Sequence, residues 1–185
     1  MSLLRSVIIA FLAVYALVLP AYAQHKVIII GDSLTEGYGV SKDKAFPALL
    51  EKKLQQNGHK ELEVVNAGIS GSTSASGPKR LLWLLKSQPK AVVIALGAND
   101  GLRGLSVENL KKNLSEMVKL AQKEKIPVLL VGMKVPPNYG KKYEKKFEQA
   151  FLEVAKKYKV PLMPFLLMGV GGEKGLNQAM KKAMN

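Results

Sequence analysis

Ser33 stands in Gly31-Asp32-Ser33-Leu34, directly after the apolar run Val27-Ile28-Ile29-Ile30, so the sequence places a hydroxyl at the carboxyl end of a buried strand. That edge is where open α/β sheets hold their ligands and chemistry. Two further polar segments, Gly68 to Gly77 and Gly97 to Gly104, follow the next two apolar runs. If the strands are parallel, all three segments meet on one rim. Ser33 is then placed as a nucleophile for acyl transfer, and the backbone N–H groups of Ser33 and Gly71 with the Asn99 side-chain amide are placed to receive a developing oxyanion. Asp32, Leu34, Ser72 and Asp100 flank these positions as candidate substrate contacts. Local readings compete. Ser33-Leu34-Thr35-Glu36 also fits a capping box, Asp32 fits a turn former, and Asn99-Asp100-Gly101 fits a turn. A serine nucleophile needs a base, and the only histidines, His25 and His59, precede strands and so fall at the opposite, amino edge.

The positioning elements are legible from hydrophobic spacing. β-branched runs at Lys26 to Ile30, Leu62 to Asn66, Ala91 to Leu96, Val128 to Gly132 and Val160 to Met163 alternate with amphipathic stretches, which predicts a five-stranded parallel sheet in a three-layer α/β/α sandwich. Helical stripes are carried by Phe46, Leu49, Leu50 and Leu54, by Val107 through Ala121, and by Tyr143 through Tyr158, each expected to pack on the sheet. The near-continuous apolar character of Pro78 to Lys86 predicts deeper burial, with Trp83 in the core.

With these segments in place, the chain resembles the SGNH (GDSL) hydrolases, and in particular their exported thioesterase, lysophospholipase and arylesterase branch. The resemblance is carried by Gly31-Asp32-Ser33-Leu34-Thr35-Glu36-Gly37-Tyr38-Gly39, Val65-Asn66-Ala67-Gly68-Ile69-Ser70-Gly71-Ser72-Thr73, Leu96-Gly97-Ala98-Asn99-Asp100-Gly101-Leu102-Arg103-Gly104 and Pro137-Asn138-Tyr139-Gly140. It implies a flavodoxin-like sandwich and Ser33 as nucleophile, with Gly71 and Asn99 completing the oxyanion hole. It also implies acyl esters, thioesters or lysophospholipids as substrates, and neither metal nor organic cofactor. A fourth block of that family, Asp-x-x-His, supplies the base and its orienting acid. The corresponding stretch here runs Gly175-Leu176-Asn177-Gln178-Ala179-Met180-Lys181-Lys182 and contains neither, so the base, the acid and part of a closing C-terminal helix are expected to be missing. Two explanations fit this departure: a truncated or frameshifted hydrolase gene, and a non-catalytic acyl- or lipid-binding descendant.

Composition narrows the remaining classes. The chain has 185 residues, 48% of them hydrophobic and 23% charged, which suits one globular domain. Arg5, the apolar stretch from Val7 to Leu19 and the Ala-x-Ala ending at Ala23 read as a secretory signal, giving a domain over residues 24–185 that is exported to the periplasm or beyond. With no cysteine, the chain has neither a disulfide scaffold nor a thiol nucleophile. The net charge of +14 falls largely on paired lysines along predicted helices, a solvated basic surface with weak attraction for anionic lipid. No aromatic-interleaved basic motif points to nucleic acid. Gly169-Val170-Gly171-Gly172-Glu173-Lys174 lacks the third glycine of a dinucleotide fingerprint. A flavodoxin-like electron carrier shares the fold class, and a monomer is expected.

Overall fold

A computed structural model of the chain describes residues 25–171 and 173. The expected signal segment and the lysine-rich stretch 175–185 lie outside the described residues. Within them, five strands form one parallel sheet: β1 (His25–Gly31), β2 (Leu62–Gly68), β3 (Ala91–Ala95), β4 (Val128–Val131) and β5 (Leu162–Met163), in the order β2-β1-β3-β4-β5. The α/β expectation holds, and the last strand is shorter than its sequence suggested because Val160 and Pro161 fall outside it. Six α-helices connect the strands: α1 (Ser33–Glu36), α2 (Phe46–Gln56), α3 (Gly77–Leu84), α4 (Ala98–Leu102), α5 (Val107–Lys123) and α6 (Lys141–Tyr158).

The two faces of the sheet are covered unequally. Ile28, Ile30, Val92, Ile94, Leu96 and Leu130 point into the larger core, where the stripes of α5 and α6 are buried as their periodicity predicts. Phe147 and Phe151 meet there edge to face, with ring centroids 5.5 Å apart. On the other face Ile29, Val64, Ala95 and Val131 are covered by Phe46 and Leu54 of α2 and by Leu166. One narrow edge of α2 makes that contact. Leu49 and Leu50 are consequently exposed, contrary to the expectation that the whole stripe packs on the sheet. Trp83 also departs from expectation: it is 69% exposed, because α3 buries Gly77 and Leu81 through one side and turns the indole outward beside the edge strand β2.

Register brings the strand ends level. Gly31 at the end of β1 is paired with Gly68 of β2 and with Ala95 of β3, so the three following loops start at one height on the carboxyl rim. The α1 turn folds back closely onto these ends. A Cβ on Gly31 would stand 1.9 Å from the Thr35 hydroxyl, which leaves glycine as the residue that fits there.

Candidate active site

Ser33 is the first residue of α1, and the cap of that helix is Asp32, whose carboxylate accepts the Leu34 N–H at 3.0 Å. The capping-box reading therefore fails. Glu36, its would-be partner, turns to the next loop and accepts both the amide N–H (2.7 Å) and the hydroxyl of Ser70. Those bonds hold the Glu36 carboxyl below the usual carboxylate range. Among the described residues nothing bonds to the Ser33 hydroxyl, which is half-buried and opens on a cavity of about 620 Å³. Leu34, Val40, Phe46, Leu166 and Leu167 line that cavity with apolar surface.

The second loop reaches the same rim. Ile69 N–H donates to the Gly31 carbonyl at 3.2 Å, and Gly71 adopts φ +75°, the left-handed conformation that favours glycine. Among the described residues no acceptor engages the N–H of Ser33 or of Gly71. The third loop closes onto the second: Asn99 Nδ2 donates to the Ser72 carbonyl at 3.0 Å. One of its two amide hydrogens is held there, which fixes the side chain and leaves the other available as a donor. Two backbone N–H groups and one side-chain N–H without partners among the described residues thus lie on the three loops that leave the level strand ends, a donor set of the kind suited to a tetrahedral oxyanion.

Two of the candidate substrate contacts have structural surroundings instead. Asp100 is 4% exposed, and its carboxylate accepts the amide (2.8 Å) and hydroxyl (2.6 Å) of Ser74, while Asn113 Nδ2 donates to the same hydroxyl at 2.9 Å. Asp32 is 2% exposed and committed to its cap. Burial pushes the Asp32 carboxyl above the usual carboxylate range, and Asp100 adds to this, whereas the Leu34 amide and Arg80 pull it back. Asp100 thus joins the third loop to the second, while Asp32 caps α1 within the first. Leu34, by contrast, lines the Ser33 cavity, and Ser72 is half-buried between Asn99 and Arg80.

Two arginines that the sequence reading passed over tie the rim together. Arg80 donates to the Gly31 carbonyl (3.4 Å), the Ser72 hydroxyl (3.2 Å) and the Ala67 carbonyl, and Arg103 donates to the Gly71 carbonyl at 3.0 Å. A signal was present: in a chain that otherwise uses lysine, arginine appears only at positions 5, 80 and 103, and its planar fork suits several fixed acceptors at once. Tyr139 and Tyr143 support the third loop from below, donating to the carbonyls of Leu102 (2.6 Å) and Leu105 (2.9 Å). His25 opens β1 and pairs with Leu62, and His59 lies 3.8 Å from Glu61 just before β2, so both occupy the amino edge opposite Ser33. No cluster of three or more potential metal ligands occurs among the described residues.

Comparison with known proteins agrees with this architecture. The model of the GDSL-like lipase/acylhydrolase family matches residues 29–181. Esterase TesA of Pseudomonas aeruginosa is 44% identical over 158 residues, spanning 85% of this chain and 78% of that protein. Thioesterase 1/protease 1/lysophospholipase L1 of Escherichia coli is 39% identical, spanning 85% and 74%. Among solved structures, AlinE4, an SGNH-hydrolase family esterase, superposes with a TM-score of 0.80 at 40% identity over 84% of this chain and 83% of its own. Fold and relatives together define an ester hydrolase of the SGNH type. The chain belongs to the GDSL-like lipase/acylhydrolase family.

Proposed function

We propose that this chain is an exported serine hydrolase of small acyl esters, thioesters and lysophospholipids that works through an acyl-enzyme at Ser33. The observation that carries the reading is the Ser33 hydroxyl, without a partner among the described residues, beside the free amides of Ser33 and Gly71. The thioesterase, lysophospholipase and arylesterase names of the relatives support the substrate class. In the first step Ser33 Oγ bonds to the substrate's carbonyl carbon as its proton leaves, and the carbonyl electron pair moves onto an oxygen received by Ser33 N–H, Gly71 N–H and Asn99 Nδ2. Collapse re-forms the carbonyl and expels the alkoxide or thiolate, which takes up a proton. Water then cleaves the acyl-serine ester to carboxylic acid and free hydroxyl.

Neither of the chain's two histidines, His25 and His59, reaches Ser33 from the amino edge, and the proposal carries slow turnover for a chain without an added base block, since removal of a triad member costs on the order of a million-fold in one well-studied case. The same placement of both histidines favours a second reading, in which the cleft binds acyl ligands without turning them over.

Hydrolysis of a p-nitrophenyl ester separates the two. The chain, a version extended with an Asp-x-x-His block, and Ser33→Ala in each should show strong turnover only in the extended version with Ser33 intact. Equal activity without the added block overturns the account of the base. A chain that turns over nothing yet binds fatty acid supports the second reading.

A further inference from the structure

A second cavity, sharing no lining residue with the one at Ser33, runs between the edge strand β2 and α3 and has a volume of about 800 Å³. That volume lies within the roughly 300–1,000 Å³ usual for small-molecule sites. Its floor is apolar: Val65 and Ala67 of β2, Ile69 beyond it, and Trp83 and Leu84 of α3. Val65, Ala67 and Ile69 alternate along one face, so the floor extends about 13 Å at roughly 3.3 Å per residue. Its polar end is cationic. Lys79 and Arg80 stand one helical turn from Trp83 and Leu84, at the carboxyl rim where Arg80 meets Gly31 and Ala67, and no carboxylate lines the cavity.

We propose that this groove binds a single-chain carboxylate amphiphile, a fatty acid anion in its monomeric form, with the head beside Lys79 and Arg80 and the tail along Ile69, Ala67 and Val65 toward Trp83. The charge pairing selects an anion, and the elongated apolar floor selects one tail. A flat bilayer surface would rest on the exposed tips of Leu82 and Trp83 without filling a concave slot between strand and helix. A second copy of the chain is disfavoured by its own net charge of +14. The site stands apart from the acyl chemistry at Ser33 and does not depend on it.

Trp83 is the chain's one tryptophan and lies on the groove, so its fluorescence reports occupancy directly. Titration with decanoate below its micelle concentration should give a saturable blue shift, and decanol should bind at least tenfold more weakly. Lys79→Glu should weaken decanoate at least tenfold and leave decanol within twofold. Ala75→Phe, at an exposed lining position, should fill the groove and remove both responses with the melting temperature unchanged. The proposal is overturned if decanoate gives no saturable shift, if decanol binds as tightly as decanoate, or if only anionic vesicles shift the emission. It is equally overturned if sedimentation shows that a second copy, rather than the fatty acid, closes the groove.

Discussion

Ser74 donates its hydroxyl to Asp100 Oδ1 at 2.6 Å and its amide N–H to Oδ2 at 2.8 Å, and this buried pair joins the loop that carries Gly71 to the loop that carries Asn99. Donors on two separate loops become one rigid set only if such a tie exists. Rigidity matters because preorganised donors stabilise developing charge without reorganising as the reaction proceeds.

Asp100→Ala should be the most damaging single change at the rim. It strands two buried donors of Ser74 at about 1–3 kcal/mol each, for a total of about 2–6 kcal/mol measured by denaturant unfolding. Ser74→Ala keeps the amide bond but removes the hydroxyl's bonds to Asp100 and from Asn113, and should cost about 1–3 kcal/mol. In the version carrying a base block, both should lower p-nitrophenyl ester turnover beyond any loss of folded protein. An Asp100→Ala chain as stable as the parent would show that the pair does not hold the loops.

Ser33→Ala should leave stability within about 0.5 kcal/mol, since the hydroxyl has no partner among the described residues, whereas a capping serine would cost about 1 kcal/mol. In the version carrying a base block, covalent labelling by a fluorophosphonate, followed by intact mass, should disappear entirely. Stability unchanged together with labelling lost is the signature of a nucleophile; a melting point that drops while labelling persists would reassign Ser33 to structure.

Asn99→Ala in the base-restored version should reduce kcat by about a hundred-fold or more with a smaller change in KM, because an oxyanion donor acts mainly in the transition state. Gly71→Ala combines two effects. Its φ of +75° makes a side chain cost about 1–2 kcal/mol in stability, and relaxation of the turn withdraws the amide from the rim. A loss confined to KM in either variant would place these groups in ground-state binding.

Asp32 gives the stability a pH dependence of defined sign. Its folded pKa is raised by burial above the ordinary 3.8, so between that value and the folded one the native state holds the extra proton. Stability from this group is therefore greatest at the acid end and falls as pH rises through the window above 3.8. Glu36 acts in the opposite direction: its lowered pKa adds stability that is present above its unfolded value and lost as pH falls through the folded one. Asp32→Asn, which keeps a capping acceptor, should flatten the first slope in urea titrations taken at successive pH values and leave the second. An unchanged slope above 3.8 would show that Asp32 does not titrate as its burial dictates.

All five strands were readable to within two residues at each end because buried parallel strands are apolar on both faces and the long helices carry an unbroken stripe; α5 buries Val107, Leu110, Leu114, Met117, Val118 and Ala121 as spacing alone predicts. That the loops carrying Ser33, Gly71 and Asn99 start from level strand ends was readable for a related reason, since parallel strands send every following loop to one rim. Three properties were not. Whether Ser33 or Asp32 caps α1 is decided by backbone angles at the strand end, and both residue types cap helices well. Whether Asp32 and Asp100 meet substrate or hold loops depends on burial between elements far apart in sequence. The outward turn of Trp83 and the exposure of Leu49 and Leu50 depend on how much of each helix the sheet's edge and its thinner face can cover. Local periodicity records which residues seek an interior; only the packed molecule has a finite interior to offer, and its supply decides which of them are admitted.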